Sequence, residues 1–112
     1  MNGNTPIDFS SLDTAVHGPV RLGVLAALQA EGPLDFTTLK HRLKVADGAI
    51  GTHLQKLEAS GYIACTKRFV GKRPNTSYEL TTAGHGALFN YLETMQRIID
   101  SLKPTKPQKP RT

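Results

Sequence analysis

The spacing of apolar positions changes several times along the chain, and each change predicts an element. An apolar pattern opens at Leu12, Ala15 and Val16 and pauses at His17-Gly18-Pro19. A residue before proline avoids helical backbone, so Gly18 marks a boundary, and Pro19 suits the first turn of a new helix. That helix is predicted from Pro19 to about Ala30, with Leu22, Leu25, Ala26 and Leu28 apolar, and Gly32-Pro33 ends it. Leu34-Asp35-Phe36 reads as a short extended link. Thr37 or Thr38 can cap a short helix through Leu39 and Leu43. Val45-Ala46-Asp47 reads as a tight turn. A further helix follows, with Ile50, Leu54 and Leu57 as its core stripe and Gly61 placed to stop it.

From Tyr62 to Val70 the period shortens and strand formers dominate. Gly71 to Asn75 is a turn cluster, and Thr76 to Leu80 is the return strand of a β-hairpin. The last helix is predicted from about Thr82 to Leu102, with Thr81 or Thr82 as its cap. Its apolar residues are Leu88, Tyr91, Leu92, Met95, Ile98, Ile99 and Leu102. Their alternating spacing of three and four is a coiled-coil-like seam and implies a partner helix. The fold class is therefore α+β and mainly α: a winged helix-turn-helix with a two-stranded wing and a long C-terminal dimerisation helix. Residues 1–10 read as a flexible N-terminus and residues 11–102 as the domain, with the dimerisation helix over 82–102. Residues 103–112 read as a basic, proline-rich, disordered tail.

The helix and hairpin together suggest DNA. With Ile50, Leu54 and Leu57 inward, the outer face is expected to carry Ala49, Thr52, His53 and Lys56. These offer hydrogen-bonding groups, a methyl and a cation to base edges or phosphates. Gly48, Ala49 and Gly51 leave a bare helix start that a DNA backbone could approach closely, and a helix N-terminus attracts phosphate. The hairpin tip gathers Lys67, Arg68, Lys72 and Arg73 around Phe69, with Asn75 and Thr76 on the return side. Such cations hold phosphates, and Arg68 or Arg73 could enter a minor groove.

Charge supports this only locally. The net charge of +5 includes Lys103, Lys106, Lys109 and Arg111 of the tail, without which the chain is near neutral. The hairpin cluster is thus the better electrostatic signal. At 112 residues one domain is expected. No apolar run approaches the ~20 residues that span a bilayer. Residues 1–10 lack the pattern of a signal peptide. The single Cys65 fits a reducing compartment, and a cytoplasmic location is expected. His17, His41, His53 and His85 match no metal-binding spacing, and no nucleophile motif or phosphate-binding glycine loop is present. No enzyme activity, cofactor or metal is expected.

The ordered series of residues resembles a known group. It runs through Leu12-Asp13, His17-x-Pro19-x-Arg21-Leu22, Leu25-x-x-Leu28 and Asp35-Phe36-x-x-Leu39-Lys40. It continues with Asp47-Gly48, His53-Leu54-x-Lys56-Leu57-Glu58-x-x-Gly61-Tyr62-Ile63 and Arg73-Pro74-x-Thr76-x-Tyr78-x-Leu80-Thr81-x-x-Gly84. Over about residues 11–102 the chain resembles the MarR/ArsR-type bacterial and archaeal transcriptional regulators. The resemblance implies a homodimer on double-stranded DNA, on an inverted repeat, with the helix near 47–59 in the major groove and the wing near 67–75. It also implies that the first and last helices build the dimer, which adds Leu12 and Val16 to the seam residues. Such proteins often carry Thr, Asn and Ser where this chain has Ala46, Ala49 and Gly51. That shifts the expected readout toward the wing and DNA shape. The metal-sensing branch has a cysteine pair on its reading helix, and this chain has none there.

Two questions stay open at this level. A small-molecule effector could sit near Tyr91 and Met95 between the dimer helices, although a packed seam accounts for both residues. A protein-interaction module reusing the same fold is the alternative to a DNA-binding regulator.

Overall fold

A computed structural model of the protein describes residues 12–102. The N-terminus and tail assigned above therefore lie outside the described residues. The elements are α1 (Pro19–Glu31), β1 (Leu34–Asp35), α2 (Phe36–Leu43), α3 (Asp47–Ala59), β2 (Ile63–Val70), β3 (Arg73–Leu80) and α4 (Thr82–Leu102). The three strands form one antiparallel sheet in the order β1-β3-β2.

The predicted extended link at Leu34 is in fact a third strand. Leu34 stands opposite Tyr78 and Asp35 opposite Ser77. Two residues carry too little pattern to announce a strand, and only the distant β3 makes them one. The cap of α2 also differs from expectation. Asp35, not Thr37 or Thr38, precedes the helix, and its carboxylate accepts from the Thr38 N–H at 2.8 Å. One aspartate thus ends the strand and begins the helix.

Helix stops follow the local chemistry. Lys44 closes α2 in left-handed conformation (φ 55°), and its N–H donates to the Lys40 carbonyl. Gly61, at φ 79°, follows α3 as expected. The hairpin is tighter than its composition suggested. Val70 pairs with Arg73, so the turn is only Gly71-Lys72. Gly71 supplies the positive φ of 66° at the first turn position, as a two-residue hairpin turn requires. Thr81 is the cap of α4: its hydroxyl accepts from the Gly84 N–H at 2.9 Å and donates to the Gly61 carbonyl at 2.7 Å.

One core joins all layers. Val24, Leu25 and Leu28 of α1 meet Leu39 of α2, the α3 stripe Ile50-Leu54-Leu57, Ile63 and Tyr78 of the sheet, and Leu88 and Tyr91 of α4. Burial pushes the Tyr78 hydroxyl pKa up to about 12, with Cys65 adding to the effect, so the ring stays neutral. Val16, Leu88 and Tyr91 were expected at a dimer interface. They are 0%, 3% and 6% exposed within a single protomer, so they are core and not surface. Residues 14–16 form a single turn, not a dimerising helix, closed by Val16 and His17 N–H groups on the Asp13 carbonyl.

The start of α4 presses against the backbone. A Cβ on Gly84 would lie 2.0 Å from the Tyr62 carbonyl oxygen, whereas one on Gly86 would meet nothing within 4 Å. Gly84→Ala should therefore destabilise the protein by about 1–3 kcal/mol through forced displacement of α4. Gly86→Ala should be neutral or stabilising by up to ~1 kcal/mol, because alanine favours helix. Urea unfolding of both variants checks the contrast, and equal stabilities would remove the close-approach argument.

Asp35 gives a second test. Thr38, through its hydroxyl and then its N–H, holds the Asp35 carboxyl below its ordinary 3.8, with Asn75 adding to this. A carboxylate whose pKa is lowered by folding stabilises above the unfolded value and loses that effect as pH falls through the folded value. Asp35→Ala should cost about 1 kcal/mol at neutral pH. The difference from the parent should shrink below pH 3.8. Asp35→Asn should keep most of the cap and lose its acid dependence.

Candidate nucleic-acid interface

Helix α3 is buried along one side only. Ile50, Leu54 and Leu57 are at most 1% exposed. Asp47, Gly48, Ala49, Thr52, Gln55 and Lys56 are exposed. The expected outer-face residues Gly48, Ala49, Thr52 and Lys56 are thus on the surface. Nothing lies within 4 Å of a Cβ built on Gly48 or Gly51, so that end of the helix is open. The Thr52 hydroxyl donates back to the Gly48 carbonyl at 3.2 Å and keeps its lone pairs for other donors. No side chain caps α3, and Asp47 in its first turn pairs with Lys40 at 2.8 Å. That carboxylate competes with phosphate for the helix N-terminus.

His53 is only half-buried and stands at the edge of the outer face. It sits three residues after Ile50 and four before Leu57, on the flank of the core stripe. Its Nδ1 lies 3.0 Å from Arg21 Nη1 of α1. A guanidinium can only donate, so Nδ1 is the acceptor and the ring proton sits on Nε2, which remains a donor on a half-buried ring. Gln55, absent from the expected outer face, is also fully exposed there. Its position three residues after Thr52, on the side opposite the Ile50-Leu54-Leu57 stripe, is the signal that marks it.

Arg21 organises the surroundings of α3. Nε donates to the Ala15 carbonyl at 2.9 Å, and Nη2 to those of Thr14 and His17 at 3.1 and 3.0 Å. His17 Nδ1 lies 2.8 Å from the Tyr91 hydroxyl of α4. A polar chain thus links α4, the turn at 14–17, α1 and α3. Beside it, the Tyr62 hydroxyl donates to Asp13, whose carboxylate raises the Tyr62 pKa. A cleft of about 350 Å³ opens there, lined by Asp13, Tyr62, Asn90 and Tyr91. Met95 packs against the core and does not line it.

The wing spreads its cations over two faces. Lys67 and Phe69 share one face with their partners Thr76 and Pro74. Arg68 and Val70 share the other with Asn75 and Arg73, and Lys72 is at the turn. All four cations are exposed. Among the described residues the ion pairs are Lys40–Asp47 and Arg42–Glu31, so the wing cations are not neutralised by neighbours. Asn75 is half-buried, with its amide 3.4 Å from Asp35, and Thr76 is half-buried beside it.

The outer side of α4 retains an apolar stripe. Phe89, Leu92, Ile99 and Leu102 are exposed, while Met95 and Ile98 are half-buried. Leu12 is half-buried against the core. Phe89 was absent from the expected seam and belongs to the stripe by its position three residues before Leu92. Among the described residues no cluster of His, Cys, Asp and Glu could hold a metal, and no helix is long and apolar enough to cross a membrane.

Known proteins share this arrangement. An uncharacterized protein of Methanocaldococcus jannaschii is 34% identical over 84 residues, spanning 75% of this chain and 91% of its own. A transcriptional regulator homologue of Pyrococcus horikoshii superposes with a TM-score of 0.74 at 27% identity, over 80% of this chain and 89% of its own. YusO of Bacillus subtilis gives 0.71 at 25% identity, over 81% and 64%. The sequence pattern of the winged helix DNA-binding domain matches residues 20–99, most of the described structure. With its open α3 face, basic wing and MarR-like architecture, the chain belongs to the winged helix DNA-binding domain family.

Proposed function

We propose that the protein is a homodimeric, sequence-specific transcriptional regulator without catalytic activity. Helix α3 enters the major groove, with Thr52, Gln55 and Lys56 facing the bases and nearby phosphates. Lys67, Arg68, Lys72 and Arg73 hold the backbone and minor groove beside it. The observation that carries this reading is the exposed α3 face next to four wing cations that have no acidic partner.

The exposed α4 stripe supports pairing of two copies. Phe89, Leu92, Ile99 and Leu102 would otherwise leave large apolar side chains in water along one helix. A two-fold pairing would set the two α3 helices roughly 34 Å apart, one turn of DNA, and so favour an inverted repeat. An effector seated in the cleft beside Tyr91 would act on α3 through the bonds from Tyr91 to His17 and from Arg21 to His53.

The test is fluorescence anisotropy of the protein on the DNA upstream of its own gene and on a scrambled duplex, across a salt series. Lys72→Ala and Arg73→Ala should weaken binding to both duplexes and each reduce the salt slope by about one. Gln55→Ala should instead reduce the preference for the native sequence by about 1–3 kcal/mol while leaving the slope unchanged. Leu92→Asp should convert a dimer to a monomer by light scattering. Wing variants that bind like the parent at every salt concentration would sink the proposed contacts.

A further inference from the structure

The wing tip carries an apolar pair that neither the core nor the charge argument uses. Phe69 is 71% exposed, the most exposed large apolar residue of the described chain. It stands directly across the ladder from Pro74, so the two rings occupy one face at the end of the hairpin. Lys67 precedes Phe69 on that face, Arg68 flanks it in sequence, and Lys72 and Arg73 close the tip. The apolar pair thus has Lys67 beside it on its own face, Lys72 at the turn, and Arg68 and Arg73 on the opposite face, and among the described residues none of these cations has an acidic partner.

A phenyl ring is costly to leave in water and does nothing for a fold that ends well short of it. Pro74 has no N–H to donate, so the ladder is held by the pairs on either side, Arg68–Asn75 and Val70–Arg73, and the Gly71-Lys72 turn fixes its end. The ring is therefore presented at the end of a paired hairpin. The cations select a polyanion as its occupant, and the stacked bases are the apolar surface that a polyanion can offer. The α3 face adds to this choice. Gly48 and Ala49 give no polar side chain, and Thr52 has already donated its hydroxyl proton. Polar readout by α3 then rests on Gln55, Lys56 and the Thr52 lone pairs, which leaves room for added recognition through DNA deformability.

We infer that Phe69, backed by Pro74, is a wedge that enters the minor groove and partly unstacks a base step, bending the duplex, while Lys67, Arg68, Lys72 and Arg73 grip the flanking phosphates. This rests on the DNA-binding reading above. Apolar side chains on cationic supports open base steps in this way, and pyrimidine–purine steps such as TA yield most easily. The wing would then select flexible steps rather than particular base edges.

The chain has no tryptophan, so Phe69→Trp places a single fluorophore at the tip. The probes are two 30-bp duplexes of equal composition, one with TA steps a helical turn apart and one without pyrimidine–purine TA or CA steps. The full chain is used, and circular dichroism verifies that each variant is folded. On the TA duplex the tryptophan should be quenched and shielded from acrylamide. End-to-end energy transfer in a doubly labelled TA duplex should rise with the parent protein and not with Phe69→Ala. That variant should lose roughly tenfold in affinity for the TA duplex and little for the other. Its salt slope should be unchanged.

A parent protein that binds neither duplex would overturn the wedge together with the DNA-binding reading. Salt-sensitive binding with an acrylamide-accessible tryptophan, and with equal bending by parent and Phe69→Ala, would overturn the wedge alone. So would a loss of self-association in Phe69→Ala with DNA bending intact, since the ring would then contact a second copy of the chain.

Discussion

Burial of Ile50, Leu54 and Leu57 is the constraint from which the rest of the interface follows. These three side chains are at most 1% exposed and lock α3 against α1 and the start of β2. Each is worth about 1.5–3 kcal/mol of transfer from water. Rotating α3 would surrender that burial and drive polar Gln55 or Lys56 inward. The helix is therefore free to show a partner only the opposite side. What it shows is small and open at Gly48 and Ala49, and polar at Thr52, Gln55 and Lys56.

Polar contacts refine this packing. Arg21 spends its guanidinium on three carbonyls of the 14–17 turn and on His53, so one side chain fastens the N-terminal turn to α1 and α3 together. The His17–Tyr91 contact extends the connection to α4. At the other end of the sheet, the Gly84 backbone approaches the Tyr62 carbonyl, and Thr81 ties the start of α4 to Gly61. The helix that bears the exposed apolar stripe and the helix with the open polar face are thus joined by a continuous set of side-chain contacts.

The wing obeys a different rule. Beyond Arg68 and Asn75, the last pair with a contact to Asp35, the hairpin is fully exposed and is held by its ladder and turn. Its side chains are not recruited into packing, so cations and phenyl ring protrude. Charge and apolar surface can coexist there because nothing in the protomer competes for them.

Elements whose signal is local can be read from residue order. Proline at the start of α1, glycine after α3, the stripe of α3 and the basic hairpin were all legible, because capping, periodicity and turn chemistry act within a few residues. Helix α4 was bounded correctly for the same reason. Tertiary structure decided what depends on distant partners. Leu34–Asp35 became a strand only by pairing with Tyr78 and Ser77. The apolar residues of α4 divided into core, at Leu88 and Tyr91, and surface, at Phe89, Leu92 and Ile99. A three-four spacing marks an apolar face but not which part the chain covers itself. His53 is half-buried at the edge of the outer face, with Nδ1 on Arg21, thirty-two residues away, while Gln55 is fully exposed. Periodicity places a residue on a helix to within a fraction of a turn, and only the neighbour it meets fixes whether it faces solvent.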